Sequence, residues 1–209
     1  MFDDRTDAGE RLAAELEARD LDIDVVLGIP RGALPVARPV ADALDADLDV
    51  VVARKLGAPG NPELALGAVA SDGSVWYNDD LIARVDIPEE YLEEVRAEEA
   101  ENAREKADRY RETAGLPELE GKRVVVVDDG VATGATATAC LRQVQESGAE
   151  WVGLAVPVGS PRSVDELERE TDEVIALQTP ADFRAVGQYY RNFGQVTDEE
   201  AITYLDRDG

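Results

Sequence analysis

Asp128 and Asp129 are the two residues whose type and placement most directly suggest chemistry. They follow the apolar run 124–127 and precede Val131-Ala132-Thr133-Gly134-Ala135-Thr136. Adjacent carboxylates repel each other and add nothing to packing, so a pair at a strand end points to a ligand. It can accept hydrogen bonds from sugar hydroxyls or hold Mg²⁺. The Gly/Thr-rich loop leads into a helix over 135–146. Such a turn aims several backbone N–H groups and two hydroxyls at one phosphate, with the positive end of the helix dipole behind them. The parts together describe a site for a phosphorylated sugar. The plainer reading is a tight strand-to-helix connection with a Thr cap and chance acids.

The elements that must position these residues follow from periodicity. Four consecutive valines at 124–127 lack polar alternation, which predicts a central parallel strand covered on both faces. Ligands of open α/β sheets bind just beyond such strand ends. Upstream, 5–18 is an amphipathic helix with Leu12 and Leu16 on one face, and 23–27 a short strand. Residues 28–32 form a turn. A helix follows over 33–44, with Pro35 in its first turn and Pro39 as a candidate kink. Residues 48–53 make a strand ending at Arg54-Lys55, and 56–62 a mobile loop rich in Gly and Pro. Residues 65–70 and 74–77 form a hairpin around Asp72-Gly73.

A long charged helix spans 88–113, opened by Pro88. Tyr91, Leu92 and Val95 are its main apolar contacts and the rest is a solvated face. After a linker at 115–121 and the valine strand come a strand at 151–157, a helix at 163–170, a strand at 173–177 and an aromatic-rich tail to 205. The alternation predicts an α/β fold: a doubly wound, mainly parallel sheet flanked by helices. Residues 1–209 form one domain, with 88–113 as a helical insertion and 156–205 as a small C-terminal hood.

Three further segments suit a phosphorylated ligand. Gly28-Ile29-Pro30-Arg31-Gly32 lets the backbone approach closely and offers an arginine; its plain reading is a Gly/Pro turn with a solvated side chain. Arg54-Lys55 pairs a fork donor with a point charge, which suits a pyrophosphate; its plain reading is an exposed pair balancing an acidic surface. Residues 56–68 are either a lid or an ordinary surface loop, and composition does not separate the two.

The segment VVVVDDGVATGAT closely resembles the signature of the type I phosphoribosyltransferases: four apolar residues, two acids, and a small-residue loop ending in T-G-x-T/S. The resemblance implies that Asp128 and Asp129 hold the ribose hydroxyls of phosphoribosyl pyrophosphate (PRPP). It implies that Val131, Ala132, Thr133, Gly134, Ala135 and Thr136 hold its 5′-phosphate. Arg31 and Gly32 then belong to a pyrophosphate loop, a type often built on unusual backbone geometry. Arg54 and Lys55 join Asp128 and Asp129 in the catalytic set, and a lid over 56–68 excludes water. Mg²⁺ is the implied cofactor, carried by PRPP, with Asp128 or Asp129 as candidate ligand.

The implied reaction displaces pyrophosphate from C1 with inversion, through an oxocarbenium-like transition state, onto a nucleobase-like acceptor. The stretches FDDRTDAGERLA, RKLGAPGNPELALGA and AVGQYYRNFGQVTDEE extend the similarity, to short stand-alone phosphoribosyltransferases, over nearly the whole chain. In this reading the hood (156–160 and 183–193) sets the acceptor, although its aromatics read first as the hood's own small core. No lysine follows Lys122 to meet a purine 6-oxo group. The competing readings are a PRPP-sensing regulator without turnover and a hydrolase using Asp128 as nucleophile.

Composition narrows the field. A formal charge of −25, a pI near 4.2 and only three lysines (Lys55, Lys106, Lys122) suggest a protein adapted to a salt-rich cytoplasm, where screening limits self-repulsion. The charge disfavours nucleic acid. The absence of histidine removes His triads, His bases and most zinc sites. Cys140, alone, forms no intrachain disulfide and reads as a core residue. No signal peptide or apolar run long enough for a membrane span is visible, so the expected setting is cytoplasmic, with small-molecule substrates and a homodimer as the assembly considered.

Overall fold

The computed structural model describes residues 1–111 and 116–206. Residues 112–113 of the expected 88–113 helix and 115 of the expected linker lie outside the described residues; the helix itself ends sooner, at Asp108, with Arg109 as its C-cap.

The valine run forms β6 (Arg123–Val127) at the centre of a five-stranded parallel sheet. Its neighbours are β1 (Val25–Gly28) and β7 (Trp151–Val158); β2 (Asp47–Val50) and β8 (Glu173–Gln178) form the edges, in the order β2-β1-β6-β7-β8. Because side chains alternate along a strand, the four valines divide between two cores. Val125 and Val127 pack with Leu12, Leu16, Val36 and Val40 of α1 (Arg5–Ala18) and α2 (Leu34–Ala43). Val124 and Val126 pack with Cys140, Leu141 and Val144 of α5 (Ala135–Glu146). Both faces are covered, as an uninterrupted apolar run requires. Cys140 is wholly buried, and burial pushes its thiol pKa up, so it behaves as a small apolar residue.

The segment after β2 departs from expectation. The predicted strand over 48–53 breaks in two. Residues 53–58 leave the parallel sheet and form β3 (Ala53–Ala58), the first strand of a separate antiparallel sheet with β4 (Asn61–Ala70) and β5 (Val75–Tyr77). Arg54 and Lys55 are thus inside an antiparallel strand, not at the end of a parallel one. Most of the loop expected at 56–62 is also strand, because Gly57 and Pro62 allow an irregular register and Gly60 (φ +72°) supplies the left-handed turn. The expected hairpin around Asp72-Gly73 is present as β4 and β5.

A short helix α3 (Asp79–Val85), capped by Asn78, precedes α4 (Glu89–Asp108). The buried face of α4 is Ala100, Ala103 and Ala107, not the expected Tyr91, Leu92 and Val95. Alanines let the helix lie close against β3 and β4. Val95 packs only partly against that core, while the Tyr91 hydroxyl donates to the Gly57 carbonyl at 2.9 Å.

Beyond β7 come α6 (Pro161–Leu167), β8, a 3₁₀ turn at Val186–Tyr189 and α7 (Asp198–Thr203). The tail aromatics largely pack among themselves, as expected: Phe183 stacks on Tyr189 and Tyr190 lies against Phe193. Phe2, from the other end of the chain, completes that cluster, whereas Tyr204 packs elsewhere, near Val50 and Ala107. Among the described residues no helix is long and apolar enough to cross a membrane.

Candidate functional site

The C-terminal ends of β1 and β6 are hydrogen-bonded neighbours, with Gly28 opposite Val127. The loop 28–32 and the acids 128–129 therefore meet in one place by sheet register alone. Asp128 and Asp129 are half-buried. Burial and the neighbouring Asp129 charge hold the Asp128 carboxyl well above the usual carboxylate range. Asp129 is raised too, again by burial, although the Arg5 guanidinium opposes the shift.

Arg5, at the start of α1, donates from Nε to Asp129 Oδ2 at 2.8 Å and from Nη1 to the Gly194 carbonyl at 2.7 Å. Its guanidinium stacks over Phe193, 3.9 Å from the ring centre. The Tyr190 hydroxyl donates to the Asp129 carbonyl. The second acid is thus clasped by residues from both ends of the chain. Gly32 is required by this packing: a Cβ there would overlap Asp129 Oδ2 and lie 3.3 Å from Arg5 Nε. The Pro30–Arg31 peptide of the same loop is cis.

The loop 131–136 makes the turn expected of it. Val131 is buried, and its N–H and C=O bond β7's Val158 and the start of α6 at Ser160. The hydroxyls of Ser160 and Ser163 both donate to the Ala132 carbonyl, at 3.0 and 2.6 Å. Ala132 and Thr133 stand exposed, and Gly134 enters α5 at φ +78°. No side chain caps α5, as none caps α2 or α4, whereas Asp4, Asn78, Ser160 and Thr197 cap α1, α3, α6 and α7. The first turn of α5 therefore presents its amides and the positive dipole end at the loop, beside the two acids. A cleft of about 450 Å³ adjoins the loop on the side of Trp76 and Arg162; it does not include Asp128 or Asp129.

The cations are arranged differently from the sequence expectation. Arg31 lies 3.8 Å from Asp198 Oδ1, a residue of α7 that also accepts from the Tyr110 hydroxyl. Arg54 bonds Glu99 of α4 at 2.9 Å. Lys55, beside it in β3, is half-buried. Lys106, on α4, joins the site without any sequence motif to announce it; its Nζ donates to the Pro30 carbonyl at 2.7 Å. Burial and the nearby Arg54 and Arg31 charges lower its pKa. Residues 31–32 and 128–136 thus sit together at the C-terminal ends of the inner strands β1 and β6, while Arg54 is exposed on β3 and tied to α4. Sequence reasoning misses Arg5, Lys106 and Asp198 because each comes from an element distant in sequence. The scarcity of lysine is the one signal that could mark Lys106.

Asp128 and Asp129 offer hard carboxylate oxygens of the kind Mg²⁺ takes, with Asp129 already paired with Arg5.

A phosphoribosyl transferase domain family model matches residues 3–192. A Mycobacterium tuberculosis H37Rv protein, named provisionally as a phosphoribosyl transferase, is 45% identical over 207 residues, which are 99% of this chain and 47% of that protein. The chain thus spans about half the length of the curated relatives it matches. The crystal structure of TT1426 from Thermus thermophilus is similar at TM-score 0.83 and 46% identity, over 98% of this chain and 97% of that one. A Neisseria gonorrhoeae protein solved with bound ppGpp shares the fold, at TM-score 0.52 and 15% identity, over 98% and 93% of the two chains.

Proposed function

Because the chain belongs to the phosphoribosyl transferase domain family, we propose that it uses PRPP and Mg²⁺ to transfer the 5-phosphoribosyl group to a nucleobase-like acceptor, releasing pyrophosphate. The observation that carries this reading is the meeting of three parts at the C-terminal ends of β1 and β6: the uncapped turn into α5, the acid pair and the loop bearing Arg31. In this reading the amides of 132–136 and the Thr133 and Thr136 hydroxyls hold the 5′-phosphate. Asp128 and Asp129 accept from the ribose hydroxyls. Arg31, Gly32, Arg54 and Lys55 face the pyrophosphate, and the hairpin β3–β4 takes the place of the lid.

Mg²⁺ would be held by substrate oxygens with Asp128 as the protein ligand, and it would neutralise the leaving pyrophosphate. The chain's own contribution is positioning and fixed charge. With no histidine present, no imidazole takes part in the proton transfers.

Calorimetry in high salt tests the donor half. Mg²⁺-dependent heat on PRPP addition is expected; a folded protein giving none would contradict it. The hold of Asp198 on Arg31 makes a second prediction. Both groups are about one-third exposed, so the pair is weak. Asp198→Asn should free Arg31 and tighten inorganic pyrophosphate binding by about two- to fivefold. Unchanged or weaker binding in a competition titration would show that Asp198 does not compete for Arg31.

The sensor reading keeps the same site without turnover. It differs from the enzyme reading in product, not in donor affinity.

A further inference from the structure

We propose that Lys106 of α4 is a pyrophosphate-binding residue, bridging the Pro30–Arg31 loop and the leaving group of PRPP. This rests on the PRPP reading above and adds to it a residue from a helix that sequence patterning assigns to an insertion.

The geometry supports it in three steps. First, Lys106 of α4 donates to the carbonyl of the very loop that carries Arg31, and Arg54 of β3 bonds the same helix through Glu99. Arg31 and Arg54 are near enough to Lys106 to disfavour its charge. Like charges near a half-buried amine disfavour its ionised form unless an anion joins them. Second, two of the three are already engaged with carboxylates, Arg31 with Asp198 and Arg54 with Glu99. Lys106 makes no ion pair among the described residues; its Nζ is held by a neutral carbonyl. An ammonium has three donors, and the Pro30 carbonyl takes one, leaving two for a ligand. Third, the alanines at 103 and 107 are buried on either side of Lys106 in sequence, so α4 lies tight against the core and delivers the amine to the loop instead of to solvent.

The plainer explanation is a basic residue in the last turn of a helix, favoured by the dipole. That role is satisfied by an exposed side chain. It does not account for a half-buried amine held on the Pro30 carbonyl. It also leaves unexplained why a chain with three lysines among 21 basic residues keeps one here.

The experiment compares two ligands on three proteins in high-salt buffer. PRPP carries the pyrophosphate and ribose 5-phosphate does not. For Lys106→Met, the affinity for Mg²⁺–PRPP should fall by about tenfold or more, as expected for a lost charge-assisted hydrogen bond, while ribose 5-phosphate binds within about twofold of wild type. Lys106→Arg should restore part of the PRPP affinity. If Lys106→Met loses both ligands in proportion, or neither, Lys106 is structural and the inference is overturned. If wild type binds ribose 5-phosphate but gains nothing from the pyrophosphate, the donor reading itself fails, and this inference with it.

Discussion

If Asp128 and Asp129 hold the ribose as proposed, Asp128→Asn together with Asp129→Asn should lower PRPP affinity by at least about a hundredfold, because each substitution weakens a charged hydrogen bond. The chain should remain folded. The single variants separate function from stability, because their effects on the fold have opposite signs. Asp128 has a carboxyl pKa raised in the native state by burial and by Asp129. A carboxyl raised on folding binds its proton more tightly in the native chain. Its contribution to stability is therefore largest at low pH and is lost as pH rises through the elevated pKa. Above the ordinary carboxylate range the raised carboxyl therefore costs stability, and Asp128→Asn should raise the melting temperature at neutral pH, by an amount corresponding to about 0.5–2 kcal/mol.

Asp129→Asn removes the carboxylate partner of Arg5, whose side chain is 12% exposed, and should cost about 1–3 kcal/mol. PRPP affinity in wild type should also decline on acidification at a pH above the ordinary carboxylate range. That dependence should shrink in Asp128→Asn, leaving the part due to Asp129, which is raised as well. Unchanged affinity in the double variant, measured by calorimetry on folded protein, would remove the ribose role from both acids.

Gly32→Ala should be nearly as damaging, through packing alone. The new methyl group would occupy the space of Asp129 Oδ2 and lie 3.1 Å from Asp129 Cγ. Neither partner can retreat easily. Asp129 is held by Arg5 and by the Tyr190 hydroxyl on its carbonyl, and Arg5 is held by Gly194 and Phe193. Overpacking of this kind costs about 1–3 kcal/mol. Displacing the acid should weaken PRPP binding by about tenfold or more, since one charged hydrogen bond is misplaced. A urea titration together with a PRPP isotherm checks both halves. A variant with wild-type affinity would show that Asp129 need not stay where Gly32 places it.

The parallel sheet is legible in the sequence because its signals are local. The run 124–127 carries its burial in its composition, and the turn into α5 carries its conformation in Gly134. Even the meeting of residues 28–32 with 128–129 follows once β1 and β6 are taken as neighbours. The region 53–62 is not legible in the same way, because Gly and Pro punctuation marks a change of direction without saying whether the chain then pairs. Here it pairs as β3 and β4, with register shifts between Leu56 and Ala58. The face of α4 is hidden for a related reason. Tyr91, Leu92 and Val95 have the larger side chains, yet the small alanines make the close approach.

Arg5, Lys106 and Asp198 are illegible as members of the site because each bonds its partner there across 76 residues of sequence or more. Only tertiary packing brings them there. The acceptor leaves no comparable mark: the tail aromatics that could stack on a base largely pack against one another, with Phe193 under Arg5.

The central claim is turnover. It is tested most directly by incubating the protein in high salt with PRPP, Mg²⁺ and a panel of nucleobases, following pyrophosphate release and product mass. Stoichiometric release of pyrophosphate with one base, together with the matching ribonucleotide, is the result predicted. Tight PRPP binding with no release across the panel would contradict it and favour the sensor.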